Sequence, residues 1–431
     1  MKKYELIENK ENILATLEND TLKRNGKLLN LIKILNLLSE NFILSIDGSW
    51  GCGKTFFVKQ LEYVLNSDMN LPLIDKNSSE ILSEFRDRHV LFYYNAWEND
   101  DHGSPLGSLI FSILNDYPKY KDCVIDNKNI FTTIKPILKN IISKSTGNIL
   151  SPEVFDRLTT FEELAEEVIT VEEKKTAINK LFNNIIPNNK RLILVIDELD
   201  RCRPDFAVKM LETIKHFYFN PKITVIVVTN NKELSNTVKK FYGEGFDGYR
   251  YLNKIYETVI TLETENLKEY IDYYCEFKKE TFLPEDISYL LFQHYLFTYR
   301  DCNKFITMYR IIEKFINRES YFEKEEQSVT KYILVPIALA LKVKNVSKYN
   351  DYISGNGEQV ISEFFDYIEG YDDNGINYME WLMEMLKVED KSKAKEEFIK
   401  MYKNGIKNSK LVRGFPFLDI ISMLGNTLNQ Y

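Results

Sequence analysis

Histidine, cysteine and glycine are scarce in this chain, and an excess of basic charge is absent. The four histidines (His89, His102, His216, His294) are isolated, and the five cysteines (Cys52, Cys123, Cys202, Cys275, Cys302) form no C-x-x-C pair. That spacing argues against a zinc site, and an odd, scattered set suits a reducing compartment. A net charge of −8 lacks the basic excess of a dedicated nucleic-acid binder. No run approaches the ~20 apolar residues that a membrane helix needs. Ile130–Ile142 is broken by Lys135, Pro136 and Lys139, and Tyr332–Val343 contains Pro336. The opening MKKYELIENKENI has no apolar stretch of the secretory type. Together these absences set the expectation of a cytoplasmic protein that does not enter a membrane. What remains is ordinary globular material, 44% hydrophobic and 28% charged, in 431 residues. That length suffices for two or three domains.

Against so little glycine, three glycines in one short loop carry information. Gly48-Ser49-Trp50-Gly51-Cys52-Gly53-Lys54-Thr55 follows the apolar run Phe42–Ile46 and precedes a helix-like stretch from Phe56. Strand, glycine-rich loop and helix in that order form the Walker A context. Gly48, Gly51 and Gly53 let backbone amides turn inward as an anion nest, and the helix adds its positive end. Lys54 is then expected to reach the β- and γ-phosphates, and the Thr55 hydroxyl to ligate Mg²⁺. Ser49, Trp50, Cys52 and Phe56 complete the expected nucleotide-binding stretch. Cys52 reads as a small filler, and Trp50 as either a shield over the nucleotide or packing.

Residues 24–40 carry apolar positions at helical spacing, with Asp20 and Thr21 as starting signals. Val90–Tyr94 reads as a second strand and 103–116 as a helix. Trp97, just beyond that strand, reads as packing. Residues 117–187 are rich in Lys, Asn, Glu and Ile and read as a mostly helical insertion; Glu162, Glu163, Glu166 and Glu167 mark a solvated helix face. Arg191–Ile196 and Lys222–Thr229 are nearly continuous apolar strands, as a parallel sheet buried on both faces requires. The amphipathic stretch 206–219 between them completes a βαβ unit. Thr258–Leu262 is a fifth strand, and beyond Asn266 the pattern is helical. The fold class is therefore α/β: a P-loop NTPase with a mostly parallel five-stranded sheet flanked by helices, a helical insertion and an all-helical C-terminal region. The expected domains are a core over 1–265, a helical lid over 266–320 and a C-terminal helical region over 321–431.

Asp197 and Glu198 end the buried strand, as in a Walker B element. Asp197 is the expected Mg²⁺ partner and Glu198 the base that orients and deprotonates water; Asp200 is the runner-up for either role. Asn230, at the end of the next strand, reads either as a sensor of the γ-phosphate or as a turn residue. Arg201, Arg203, Arg250 and Arg300 are candidate cations for the charge that develops in phosphoryl transfer. Each also suits a surface ion pair.

In combination, IDGSWGCGKT (46–55), YYNAWEND (93–100), VIDELDRCRPDFAVKMLE (195–212), VVTNNKEL (227–234) and FYGEGFDGYRYLNKIYE (241–257) resemble the KAP family of P-loop NTPases, in the STAND branch of the AAA-related ATPases. TYRDCNKFI (298–306) is similar to the family's lid segment, which makes Arg300 the lid candidate, although Tyr299 stands where proline is usual. The resemblance implies the phosphate-loop strand in the middle of the sheet, Walker B two strands away and an insertion after the second strand. It implies signalling or defence against phage and plasmids in bacteria. The expected function is a slow, Mg²⁺-dependent ATPase acting as a nucleotide-controlled switch. Self-association and a protein partner on the C-terminal helices go with that reading. The alternative is a non-hydrolysing interaction module that nucleotide stabilises. A nucleic-acid-stimulated motor fits the acidic charge poorly, and a small-molecule kinase fits the late Walker B poorly.

Overall fold

The computed structural model describes residues 7–68, 78–102, 104–117, 171–217, 220–265, 267–274, 284–316, 333–369 and 378–407. The acidic helix face around Glu162–Glu167, and residues 118–170 of the expected insertion over 117–187, lie outside them; the end of that insertion is the helix Val171–Ile185. The described residues fall into two compact units, Glu8–Glu263 and, with Ile7, those from Thr264 on.

The first unit is a five-stranded sheet: β1 (Phe42–Asp47), β2 (His89–Asn95), β3 (Arg191–Asp197), β4 (Ile223–Thr229) and β5 (Thr258–Thr261). Its order is β2-β3-β4-β1-β5, with every neighbouring pair parallel. β3 and β4 are covered on both faces, which explains their unbroken Leu, Ile and Val content. β5, at an edge, alternates half-buried and exposed positions. The sequence expectation put β1 in the middle. It is instead the fourth strand, and β4 holds the centre. Strand order is set by long crossovers, which leave no local mark in the sequence. Walker B does lie two strands from β1, with β4 between them.

Parallel pairing aligns the strand ends. Asn95 sits opposite Asp197, Asp197 opposite Val228, and Asp47 opposite both Thr229 and Thr261. The chain leaves β1 for the far edge at β2, returns to β4, then crosses to β5 on the other side of β1. This reversal places a topological switch beside β1, where open α/β sheets bind ligands at the carboxyl ends of their strands.

Helices α1 (Lys10–Asn19), α2 (Asn25–Leu37), α3 (Lys54–Asn66) and α4 (Ser78–Arg88) form one group, α3 and α4 packing on the sheet. On the other face α5 (Pro105–Asp116), α6 (Val171–Ile185) and α7 (Pro204–Phe217) meet Leu192, Leu194, Ile196, Ile223, Val225 and Val227 in one apolar core. α8 (Asn231–Tyr242) and α9 (Gly248–Asn253) follow β4. The turn between α1 and α2 is fixed by one carboxylate. Asp20 closes α1 in a left-handed conformation, and its Oδ1 accepts the N–H groups of Arg24 and Asn25, both at 3.0 Å. That carboxylate starts α2 in the way an N-cap does.

The second unit is helical where described: α10 (Leu267–Tyr274), α11 (Pro284–His294), α12 (Tyr299–Ile316), α13 (Val335–Lys344), α14 (Val346–Asp351), α15 (Glu358–Glu369), α16 (Tyr378–Leu386) and α17 (Lys391–Lys407). Val335–Leu341 is buried on all sides, the pattern of a central helix. No helix among the described residues is long and apolar enough to cross a membrane.

Candidate functional site

The loop 48–53 leaves β1 and delivers the chain to α3 at Lys54. Gly51 and Gly53 have φ of 85° and 88°, where any side chain is strained. Gly48 is needed for a different reason. A Cβ there would lie 2.5 Å from the Leu262 carbonyl oxygen and 2.7 Å from Cys52 Sγ. Its N–H donates to the Thr229 carbonyl at 3.3 Å rather than turning inward. Gly48 therefore permits close packing of the loop against the exits of β4 and β5. Cys52 is fully buried and burial raises its thiol pKa, which fits the filler reading. Phe56 is buried in the core and offers only backbone to the loop.

Lys54 Nζ curls over the loop, donating to Gly48 O at 2.7 Å and Ser49 O at 3.2 Å. Thr55, one residue on, lies near enough to the Asp197 carboxylate across β4 to lower its pKa. Asp197 is almost completely buried. Burial pushes its pKa up to about 6, while the hydroxyls of Thr55 and Tyr93 and the Glu198 N–H pull it back. Tyr93 donates to Asp197 Oδ2 at 3.0 Å, and Glu198 N–H to Oδ1 at 2.7 Å. Lys59 Nζ lies 3.4 Å from the Tyr93 ring centre. A buried, anionic carboxylate held by neutral donors is costly unless a cation completes its shell. The hydroxyl of Thr55 and the carboxylate of Asp197 are the hard oxygen donors that Mg²⁺ selects. The residues present thus fit the metal.

Glu198 adopts a left-handed backbone conformation at φ 59°. Its Oε1 pairs with Arg201 Nη1 at 2.8 Å, and the Arg201 guanidinium stands 5.6 Å from the Trp97 ring centre. Trp97 is half exposed, so the packing reading was wrong. Asn95 Oδ1 accepts the Trp97 N–H at 3.1 Å and turns the chain outward, carrying the indole off the core. Trp50 is also half exposed, with its Nε1 donating to Asp200 Oδ2. Both tryptophans stand on the rim rather than in the core.

Asn230 caps α8, its Oδ1 accepting Glu233 N–H at 3.4 Å. The neighbouring Asn231 is buried, bonded to Ser45 Oγ and, through its N–H, to Asp47 Oδ1 at 2.8 Å. Arg203, itself exposed, is turned to the largely covered Asp100 and the exposed Asp101. Arg250 is exposed on α9, and Arg300 is exposed on α12 of the second unit. The first unit thus brings together Lys54, Thr55, Asp197, Glu198 and Arg201, and leaves Arg203 and Arg250 on its surface.

Sequence reasoning passed over three residues. Tyr93 was hidden in an apolar strand, Asp47 in the strand end before the loop. Arg24 was hidden in the polar stretch DTLKRNGK. Its side chain is almost wholly buried, and Nη2 donates to Cys52 O at 2.7 Å.

Comparison with known proteins bears on these features. The model of the KAP family P-loop domain matches residues 24–325. No curated protein matches the chain. Among solved structures, the Aeropyrum pernix ORC2 protein (ADPNP-ADP complexes) is similar over 94% of this chain and 86% of that one, with 12% identity and a TM-score of 0.35.

Proposed function

Because the chain belongs to the KAP family of P-loop NTPases, we propose that it binds Mg²⁺-ATP on the loop 48–55 and hydrolyses it slowly, as a nucleotide-controlled switch. The observation that carries this is the nearness of the Thr55 hydroxyl to the buried Asp197 carboxylate, close enough to lower its pKa. It brings the first turn of α3 up to a carboxylate two strands away.

In this reading Lys54 leaves the Gly48 and Ser49 carbonyls for the β- and γ-phosphates. Thr55 and Asp197 would hold Mg²⁺, which would supply neutralisation of the phosphate charge. Glu198 orients the water that attacks the γ-phosphorus. Since Oε1 is held by Arg201, Oε2 takes the water's proton as the bond from γ-phosphorus to the bridging oxygen breaks. Asn230, its Oδ1 committed to the α8 cap, offers Nδ2 to the γ-phosphate or the water. Arg201 and Arg300 are the candidate cations for the leaving charge. Self-association, a protein partner on the C-terminal helices, and a role in bacterial signalling or anti-phage defence belong to this proposal through family membership.

A second reading has one observation in its favour. The Glu198–Arg201 pair holds the proposed base in an ion pair. A non-hydrolysing, nucleotide-stabilised interaction module needs nothing more of it. Turnover separates the two. Glu198→Gln should bind Mg²⁺-ATP as the parent does and lose turnover by roughly a hundredfold or more. Normal hydrolysis by that variant would remove Glu198 from the base role. Turnover no better than blank in the parent, with ATP still raising the melting temperature, would favour the module.

A further inference from the structure

We infer that Arg24 is a positioning residue that holds the phosphate loop in its anion-binding shape from behind; this rests on the nucleotide reading above. Arg24 is the cap residue just before α2, its N–H fixed by Asp20 Oδ1 and its carbonyl accepting Leu28 N–H. Its guanidinium then reaches three carbonyls. Nη2 donates to Cys52 O at 2.7 Å and to Glu263 O, and Nη1 to Gly53 O at 3.4 Å.

Two of those carbonyls belong to the loop, and their direction matters. A trans peptide points its C=O and N–H opposite ways. The peptide that offers Cys52 O to Arg24 therefore turns the Gly53 N–H away from it. The peptide that offers Gly53 O likewise turns the Lys54 N–H away. These are amides of the turn into α3, where an anion nest needs its donors. Gly53 O also accepts Phe57 N–H at 3.1 Å as the first bond of α3, so Arg24 acts chiefly on the Cys52–Gly53 peptide and selects the side on which that peptide presents its N–H. The third bond, to Glu263 just beyond β5, fixes the same guanidinium to the strand that flanks β1.

A planar fork with separate donor nitrogens suits this task, and lysine does not reproduce it. A buried cation set against the loop also raises the loop's positive potential. The pull of Arg24 and Lys54 on the Cys52 thiol, opposing its burial, is one sign of that field.

The test uses the full chain and Arg24→Lys, with Arg24→Ala beside it. Mg²⁺-ATP binding is followed by calorimetry, and amide hydrogen exchange over residues 46–57 is followed without nucleotide. The expected result is folded Arg24→Lys with unchanged stoichiometry, roughly ten- to a hundredfold weaker binding, and faster exchange confined to the loop. Arg24→Ala should show the same change, larger. A merely structural role would instead lower the active fraction and leave Kd unchanged. Unchanged affinity in Arg24→Lys would overturn the inference. If the parent itself fails to bind Mg²⁺-ATP, the nucleotide reading falls. The exchange data then still decide for Arg24, and unchanged loop exchange in Arg24→Lys would overturn its positioning role.

Discussion

An alanine at Gly48 tests the loop's packing in one atom. Its Cβ would stand 2.5 Å from the Leu262 carbonyl oxygen and 2.7 Å from Cys52 Sγ. Neither neighbour is a flexible end. The Leu262 carbonyl is backbone, and the Leu262 N–H is bonded to Asp47 O at 2.7 Å. Cys52 is enclosed on all sides. To bring 2.5 Å to an ordinary contact of 3.4 Å or more, the loop or the exit of β5 must move by about 1 Å. Overpacking of this kind costs about 1–3 kcal/mol. The displaced loop should also bind Mg²⁺-ATP at least roughly tenfold more weakly, since phosphate recognition depends on amide positions. Gly26 is the control. It lies in α2, and a Cβ added there would meet nothing within 4 Å. Gly26→Ala should therefore gain about 0.5–1 kcal/mol from reduced chain entropy and better helix propensity. Urea unfolding of the parent and both variants, with Mg²⁺-ATP titrations on each, measures all of this. The reasoning fails if Gly48→Ala is as stable as the parent and binds nucleotide as tightly.

Other consequences can be checked independently. His89 is buried at the start of β2 with Nδ1 3.1 Å from Phe85 O, and burial lowers its pKa to about 4. Between pH 6.5 and 4 the unfolded chain takes up a proton that the folded chain refuses. Stability should therefore be full above pH 6.5 and fall by about 3 kcal/mol towards pH 4. In urea titrations across that range, His89→Leu should show a shallower loss, and identical slopes would refute the assignment. Tyr93→Phe removes one donor from Asp197, so the Mg²⁺ concentration needed for half-maximal ATP binding should shift severalfold, at a stability change of about 1 kcal/mol. An unchanged Mg²⁺ requirement would exclude Tyr93 from the site. Leu194→Ala, at a fully buried position of β3, should cost about 2–5 kcal/mol by chemical denaturation. A cost below about 1 kcal/mol would contradict the double-sided burial of that strand.

What was legible in the sequence was local and periodic. β3 and β4 announced themselves because both faces are covered, leaving no polar position to interrupt Leu, Ile and Val. The loop was legible because backbone at positive φ and close chain approach both demand glycine. Asn230 and Glu233 also stand in capping-box spacing, so the cap at α8 was readable beside the sensor alternative. Strand order was not legible, because it depends on crossovers tens of residues long. Arg24 was illegible for another reason. A lone arginine in a polar stretch is usually exposed, and the three carbonyls gathered from residues 52, 53 and 263 make its burial tolerable. Trp97 misled because large aromatics usually pack, whereas here one asparagine side chain turns the strand exit towards solvent. The Glu198–Arg201 pair has i,i+3 spacing across the short turn Leu199–Arg201, which Glu198 enters in a left-handed conformation.

The central claim is that the loop after β1 and the carboxylate after β3 hold one magnesium triphosphate between them. A crystal structure with Mg²⁺ and a non-hydrolysable ATP analogue measures this directly. The account predicts the β- and γ-phosphates against Lys54 and the loop amides, with the metal on Thr55 and beside Asp197. Analogue bound elsewhere, or bound in the loop with Asp197 turned away from the metal, would contradict it.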